Sequence, residues 1–184
     1  MRKNCQIYSN DIFLFSSISV LLEEIFTIHA ELREQRCHIL IINKSSLLDL
    51  PKIYGLLDKR KSYIVISSPI ILNILCVGGL LKLNKFINIA APLLNIKQAL
   101  IQSLQENYQR HSFLEQAEEI CLSRRERVIF AYLSKGKSPT LIARITGLSV
   151  KTISAQKRSI MKKLSVTTDQ QFLIKSQMMN LMAQ

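Results

Sequence analysis

Apolar residues follow two different spacings along this chain, and the change falls near residue 120. Before it, short unbroken apolar runs alternate with segments of helical period; after it, only helical periods occur. Gln6 to Tyr8, Cys37 to Ile42, Tyr63 to Ile66 and Phe86 to Ala90 are brief runs, rich in apolar and β-branched residues and set off by polar ones. That is the signature of strands covered on both faces. Leu14 to Phe26 repeats apolar residues at helical spacing, and a closing helix begins at Asn95 and is expected to run past Tyr108. Strands alternating with helices predict a parallel α/β sheet. The uncharged stretch Ser62 to Leu81 is long enough to span a bilayer. Ser67-Ser68-Pro69 in its middle, then Asn73 and Gly78-Gly79, argue instead for a buried strand followed by a helix.

Beyond residue 120, four helices are placed by their caps. Ser123-Arg124-Arg125-Glu126 reads as a capping box, so a first helix starts near Arg124, buries Val128, Ile129, Ala131 and Tyr132 or Leu133, and ends at Gly136. Ser138-Pro139 opens a second, with serine as N-cap and proline in the first turn, running through Leu141, Ile142, Ala143 and Ile145. Only Gly147-Leu148-Ser149 separates it from a third, Val150 to about Leu164. A connection this short, with a glycine free to take positive φ, forces two helices to cross steeply, as in a helix-turn-helix. Thr168-Asp169-Gln170-Gln171 resembles a further capping box and opens a fourth helix carrying Leu173, Ile174, Met178, Met179, Leu181 and Met182, apolar enough to pack on the first and on a partner chain.

The third helix has two faces. Ile153, Ile160 and Leu164 form an apolar seam widened by Met161, while Lys151, Ser154, Ala155, Arg158 and Lys162 form a stripe of small and basic side chains. Such a stripe suits a helix in a major groove, where small residues allow close approach and long cations reach base edges or phosphates. Charge agrees with this placement. The formal charge is +12, and residues 122–184 hold 12 of the 25 Lys and Arg residues but only two acids, Glu126 and Asp169. A basic segment joined to a nearly neutral one points to a polyanion partner for the former. The organisation read from these patterns is an α/β domain over 1–104, a polar and helical linker over 105–120, and an all-α four-helix domain over 121–184. Glu115, Glu118 and Glu119 of the linker are either solvated or rest on the basic domain when it is unbound.

Cys5, Cys37, Cys76 and Cys121 lie far apart with no metal-ligand spacing, which predicts reduced, partly buried thiols rather than zinc or a disulfide framework. No secretory leader is read at the start of the chain. His29, His38 and His111 are isolated and read as surface or satisfied residues, and no nucleophile–base pair, metal cluster or phosphate loop marks an enzyme or a cofactor site.

Leu122-Ser123-Arg124-Arg125-Glu126, Gly136, Ile142-Ala143, Leu148-Ser149, Lys151-Thr152-Ile153 and Ile160-Met161-Lys162-Lys163-Leu164 resemble, in order and spacing, the LuxR/FixJ-type DNA-binding domain. Lys151 to Ser159 is most similar to the enteric branch of capsule and fimbrial regulators, with Gln156 where the family often has histidine. The resemblance implies that Ser154, Ala155 and Arg158 face base edges while Lys151, Thr152, Lys157 and Lys162 contact phosphates. The order of elements before the linker resembles a response-regulator receiver, the usual companion of such a module. A receiver's chemistry needs an acidic pair after its first strand, an aspartate acceptor, and a lysine after its last strand. The first place here reads Ser9-Asn10 with Asp11 beside it, the acceptor place is Asn43, and the lysine place falls on Ala91-Pro92; only Ser67 or Ser68 stands for the remaining hydroxyl. The expectation is therefore a degenerate receiver-like domain and a cytoplasmic, nucleoid-associated transcription regulator that binds double-stranded DNA. It would act as a homodimer, or as a heterodimer with a related response regulator, without membrane, metal, cofactor or control by its own phosphorylation. The alternative is an interaction protein that inhibits a related regulator by forming dimers unable to bind DNA.

Overall fold

The computed structural model describes residues 4–58, 60–75, 82–106 and 122–182. It divides into two compact units, Met1–Ala117 and Glu118–Gln184. The expected linker beyond Glu106, with its three glutamates, lies outside the described residues, as do Cys76, Gly78, Gly79, His111 and Cys121.

In the first unit four parallel strands, β1 (Cys5–Tyr8), β2 (Cys37–Ile42), β3 (Ser62–Ser67) and β4 (Lys82–Asn88), pair in the order 1-2-3-4. The helices are α1 (Ile12–Ile28), α2 (Leu50–Leu56), α3 (Pro69–Leu75) and α4 (Leu93–Gln105). The fourth strand starts at Lys82 rather than at the expected Phe86. Its first half, Lys82-Leu83-Asn84-Lys85, carries no apolar run because β4 ends the sheet, where charged residues are tolerated. The closing helix ends at Gln105, where the Glu106 N–H closes the last turn on the Gln102 carbonyl, and so stops short of the length expected.

Alternate residues of the central strands feed two layers. Ile39 and Ile41 of β2, Ile64 and Ile66 of β3 and Ile87 of β4 join Leu21, Leu22 and Ile25 of α1 and Ile96 and Leu100 of α4 in one core. Leu40, Ile42, Tyr63 and Val65 are as deeply buried but belong to the other face, which is left to Leu50 and Tyr54 of α2 and Ile71 and Ile74 of α3. This arrangement departs from the doubly wound order 2-1-3-4-5 of flavodoxin-like sheets, receivers among them. The strand that would flank β1 is missing among the described residues, and a 3-10 turn, Ala30–Glu34, connects α1 to β2 instead. All three crossovers step the same way across the sheet. Because α1 lies on the opposite face from α2 and α3, the β1–α1–β2 crossover must have the opposite hand to the other two, against the strong rule for such units.

Cys5 and Cys37 are register partners on β1 and β2, and their sulfurs are joined in a disulfide. This corrects the expectation of four reduced thiols. Sequence separation of 32 residues hid the pair, because only strand pairing brings the two Cα atoms to 4.6 Å.

The second unit consists of α5 (Arg124–Leu133), α6 (Pro139–Thr146), α7 (Val150–Lys163) and α8 (Asp169–Met182). Ser123, Ser138 and Ser149 each accept a hydrogen bond from the amide three residues on, and the Ser123–Glu126 capping box is closed in both directions. Gly147 takes φ 70°, the left-handed turn that lets α6 stop and α7 cross it. The core joins Ile129, Leu133, Ile142, Ile153, Ile160, Leu164 and Phe172, with Phe130 meeting the Phe172 ring edge-on. Val128 and Ala131, expected inside, are exposed, because the buried face of α5 is the row Glu126, Ile129 and Leu133. The box opening α8 is displaced by one residue: Thr168 Oγ1 accepts from the Gln171 amide, but the Gln171 side chain accepts from the Thr167 amide. No helix among the described residues is long and apolar enough to cross a membrane.

Candidate nucleic-acid interface

The α7 helix is held from three sides, and the groups that hold it decide which of its cations remain available. Glu126 is buried at the start of α5. Its carboxylate accepts from the Ser123 amide at 2.7 Å, from Ser159 Oγ at 2.8 Å and from Lys163 Nζ at 2.6 Å. The Lys163 ammonium foremost, then the Ser123 amide and the Ser159 hydroxyl, lower its pKa to about 2 against the desolvation that opposes them. Asp169, at the N-terminus of α8, pairs with Lys157 at 2.7 Å. Lys175 is buried and donates to the carbonyl of Leu164, the C-cap of α7, at 2.6 Å, placing a cation at the negative end of the helix dipole.

Lys151, Arg158 and Lys162 form no ion pair among the described residues. All three are exposed, and with Ala155 and half-buried Ser154 they occupy one side of α7, opposite Ile153 and Ile160. The stripe expected from spacing is thus brought together. Thr152 and Lys157 lie about a third of a turn away from it. Thr152 is hydrogen bonded to Ser149 Oγ at 2.8 Å, and Lys157 is engaged by Asp169. The roles of Lys163, Ser159 and Lys175 escaped the sequence reading. The one available signal was Lys175 itself, a lone cation inside the otherwise uncharged later part of α8.

At the C-terminal end of the β-sheet, where a receiver holds Mg²⁺ and its phosphoryl group, the residues present do not fit either. Asp11 is the N-cap of α1: its Oδ1 accepts from the amides of Phe13 and Leu14 at 3.0 and 3.1 Å. Its Oδ2 accepts from the side-chain amide of Asn43. Asn10 donates to Asp49 at 3.2 Å. A divalent cation needs several converging oxygens. What the described residues bring together here is the Asp11 carboxylate, engaged at both oxygens, the Asp49 carboxylate bonded to Asn10, and the amide donors of Asn10 and Asn43.

Residues 121–176 match the model of the family described as "Bacterial regulatory proteins, luxR family". This segment is a LuxR-family regulatory domain. No curated protein matches the chain. Among solved structures, RcsB of Salmonella enterica serovar Typhimurium bound to promoter P1flhDC with phosphomimetic BeF3⁻ is 22% identical, covers 95% of this chain and 98% of its own, and has a TM-score of 0.62. The two-component response regulator RcsB in complex with DNA is 23% identical over 94% of this chain and 96% of its own, with a TM-score of 0.60. A structure of two RcsB dimers on two parallel DNAs is 23% identical over 92% of this chain and 95% of its own, at 0.58. Identities this low establish a shared two-domain fold: a receiver-like α/β unit followed by the LuxR-family helical domain.

Proposed function

We propose that this chain is a transcription regulator, not an enzyme, that reads double-stranded DNA with α7 and acts as a dimer in the cytoplasm. The observation that carries the reading is the division of labour on α7. Two of its five cations, Lys157 and Lys163, are spent inside the domain, and the three that are not share one exposed side with Ser154 and Ala155. A solvated helix has no need to sort its charges in this way. A helix lying in a major groove does. Arg158, Ser154 and Ala155 face base edges, and Lys151, Thr152 and Lys162 approach phosphates; Lys157 joins them only by leaving Asp169. One such domain makes few base contacts, and two on adjacent half-sites raise both affinity and specificity. RcsB, whose fold is similar, is known bound to DNA and as dimers, which supports both parts of the reading.

The receiver-like unit has kept its core and lost its reaction. With Asn43 at the acceptor place and Asp11 committed to α1, regulation by its own aspartyl phosphorylation is absent, and the unit works through partner contact. The test is a pair of variants on specific and non-specific duplexes. Arg158→Ala weakens specific binding by about 1–3 kcal/mol and relaxes one base position, whereas Lys162→Ala weakens all sequences alike. Equal losses on every sequence for both variants would refute the assignment. Failure of the unmodified protein to bind genomic fragments, together with suppression of a related regulator's binding, would instead establish the inhibitor reading.

A further inference from the structure

Strand β1 is the shortest of the sheet, four residues long, and among the described residues it pairs with β2 alone. Side chains tie it to β2 at both ends. At the C-terminal end the side-chain amide of Asn43, just past β2, donates to Asp11, just past β1. At the N-terminal end the tie is covalent, from Cys5 to Cys37. The two sulfurs belong to residues of different access: Cys37 is fully buried, whereas Cys5 is partly exposed. An acceptor for a reduced Cys5 is already in place. The Gln35 carbonyl lies 3.8 Å from its sulfur, and a thiol has a proton to donate where a disulfide sulfur has none. The other bonds of this corner run from the Cys37 amide to the Asn4 carbonyl at 3.0 Å and from the Asn4 side chain to the Arg33 carbonyl at 3.3 Å. They involve no sulfur and serve either state.

We infer that Cys5 and Cys37 form a reversible thiol–disulfide site, through which the receiver-like unit responds to the thiol redox state around it. The inference rests on the cytoplasmic reading above: in a compartment kept reduced, a disulfide of an ordinary protein is transient, catalytic or sensing rather than permanent. Access to the two residues sets the order of steps. One thiolate of a dithiol reductant attacks Cys5 Sγ, the bond to Cys37 breaks, and the Cys37 sulfur leaves with the electron pair and takes a proton. The second sulfur of the dithiol then attacks the first and releases Cys5 as a thiolate. Two protein thiols and one reductant disulfide result. In the other direction the Cys5 thiolate attacks a small disulfide such as oxidised glutathione and displaces one glutathione thiolate. Cys37 gives up its proton, attacks Cys5 Sγ and displaces the second. Two electrons pass each way, and the buried Cys37 never meets an outside reagent. Reduction opens a closed loop spanning 32 residues and leaves β1 to its backbone pairing and the Asp11 to Asn43 bond. Because Asp11 is also the N-cap of α1, the loosening reaches the start of that helix. The site lies at the opposite end of the sheet from the place where a receiver takes its phosphoryl group, so this input does not depend on the chemistry lost there.

The test uses the unmodified full chain, equilibrated in glutathione buffers from a large excess of the reduced form to a large excess of the oxidised form, then alkylated and digested with trypsin. Cleavage after Lys3, Arg33, Arg36 and Lys44 puts Cys5 in peptide 4–33 and Cys37 in peptide 37–44. The two peptides are expected linked in the oxidised buffers and separately alkylated in the reduced ones, with the midpoint inside the range. A link that survives excess reduced glutathione is a permanent staple and overturns the inference, as does a pair that never links in excess oxidised glutathione. Melting reads the consequence. Reduction should lower the thermal midpoint of the N-terminal unit by about 5 °C or more and speed amide exchange over Gln6–Tyr8 about tenfold. Cys5→Ser should melt in both buffers as the reduced chain does. No fall on reduction overturns the inference, and so does an equal fall in Cys5→Ser, which would assign the response to Cys76 or Cys121. None of these readouts needs DNA, and cell fractionation tests the cytoplasmic reading apart from them, since the exchange with glutathione is measured on the purified chain.

Discussion

Glu126 shows how much a single side chain contributes to the presentation of α7. Half of its role is local and visible in four residues of sequence, the return hydrogen bond to the Ser123 amide. The other half, to Ser159 and Lys163, is 33 and 37 residues away and depends on how α5 packs on α7. Glu126→Gln keeps the size and an acceptor oxygen but loses the charge, and is expected to destabilise the domain by about 2 kcal/mol, the range for hydrogen bonds to a charged group. Acid separates the charge from the shape. The folded-state pKa, about 2, lies below the ordinary glutamate value of 4.5, so the stabilisation is fully present above pH 4.5 and is lost as pH falls towards 2. Urea melts of the LuxR-family domain across that window should converge for the two proteins at low pH and separate as pH rises. A constant gap would mean that Glu126 acts by packing alone.

At the scale of elements, the join between α6 and α7 sets the crossing of the two helices, and Gly147 sets the join. Its φ of 70° lies where only glycine is unstrained, yet nothing lies within 4 Å of the position a Cβ would take. Strain and crowding are thereby separated: Gly147→Ala is expected to cost about 1 kcal/mol from backbone strain alone, and Gly147→Asn less, because asparagine tolerates the left-handed region. Chemical denaturation of the three proteins tests the order, and a loss larger for Asn than for Ala would point to crowding instead. The same glycine explains why the second unit was legible before the structure. Serine caps, Pro139 and Gly147 act within four residues of themselves, and they located α5, α6 and α7. The central strands Cys37–Ile42 and Ser62–Ser67 were legible because burial on both faces leaves an unbroken apolar run. What depended on distant partners was not. Examples are the early half of β4 at the sheet edge, the Cys5–Cys37 bridge, the hand of the first crossover, and the burial of Lys175 against the end of α7. The small and basic stripe of α7 was read from spacing, but the pairing of Lys157 with Asp169, 12 residues on, was not.

For the whole molecule, the uneven charge turns the number of bound copies into a measurable slope. Non-specific affinity for duplex DNA falls with salt because each phosphate neutralised by a Lys or Arg releases a counterion, about 0.9 in the log–log slope per contact. A cation that reaches a phosphate only by leaving an internal carboxylate gains little, since the abandoned acid must be neutralised in turn. Lys162 has no such partner among the described residues, and Lys157 has Asp169 at 2.7 Å. Lys162→Ala should therefore flatten the slope, and Lys157→Ala should leave it nearly unchanged. The size of the flattening counts chains, because a substitution in a dimer removes two contacts at once: about 0.9 for one bound copy and about 1.8 for two. Because the effect is indifferent to sequence, any duplex long enough for two half-sites serves, and anisotropy titrations at several salt concentrations give the slopes. Equal flattening by Lys157→Ala and Lys162→Ala would mean that the Asp169 pair opens freely when α7 meets its target.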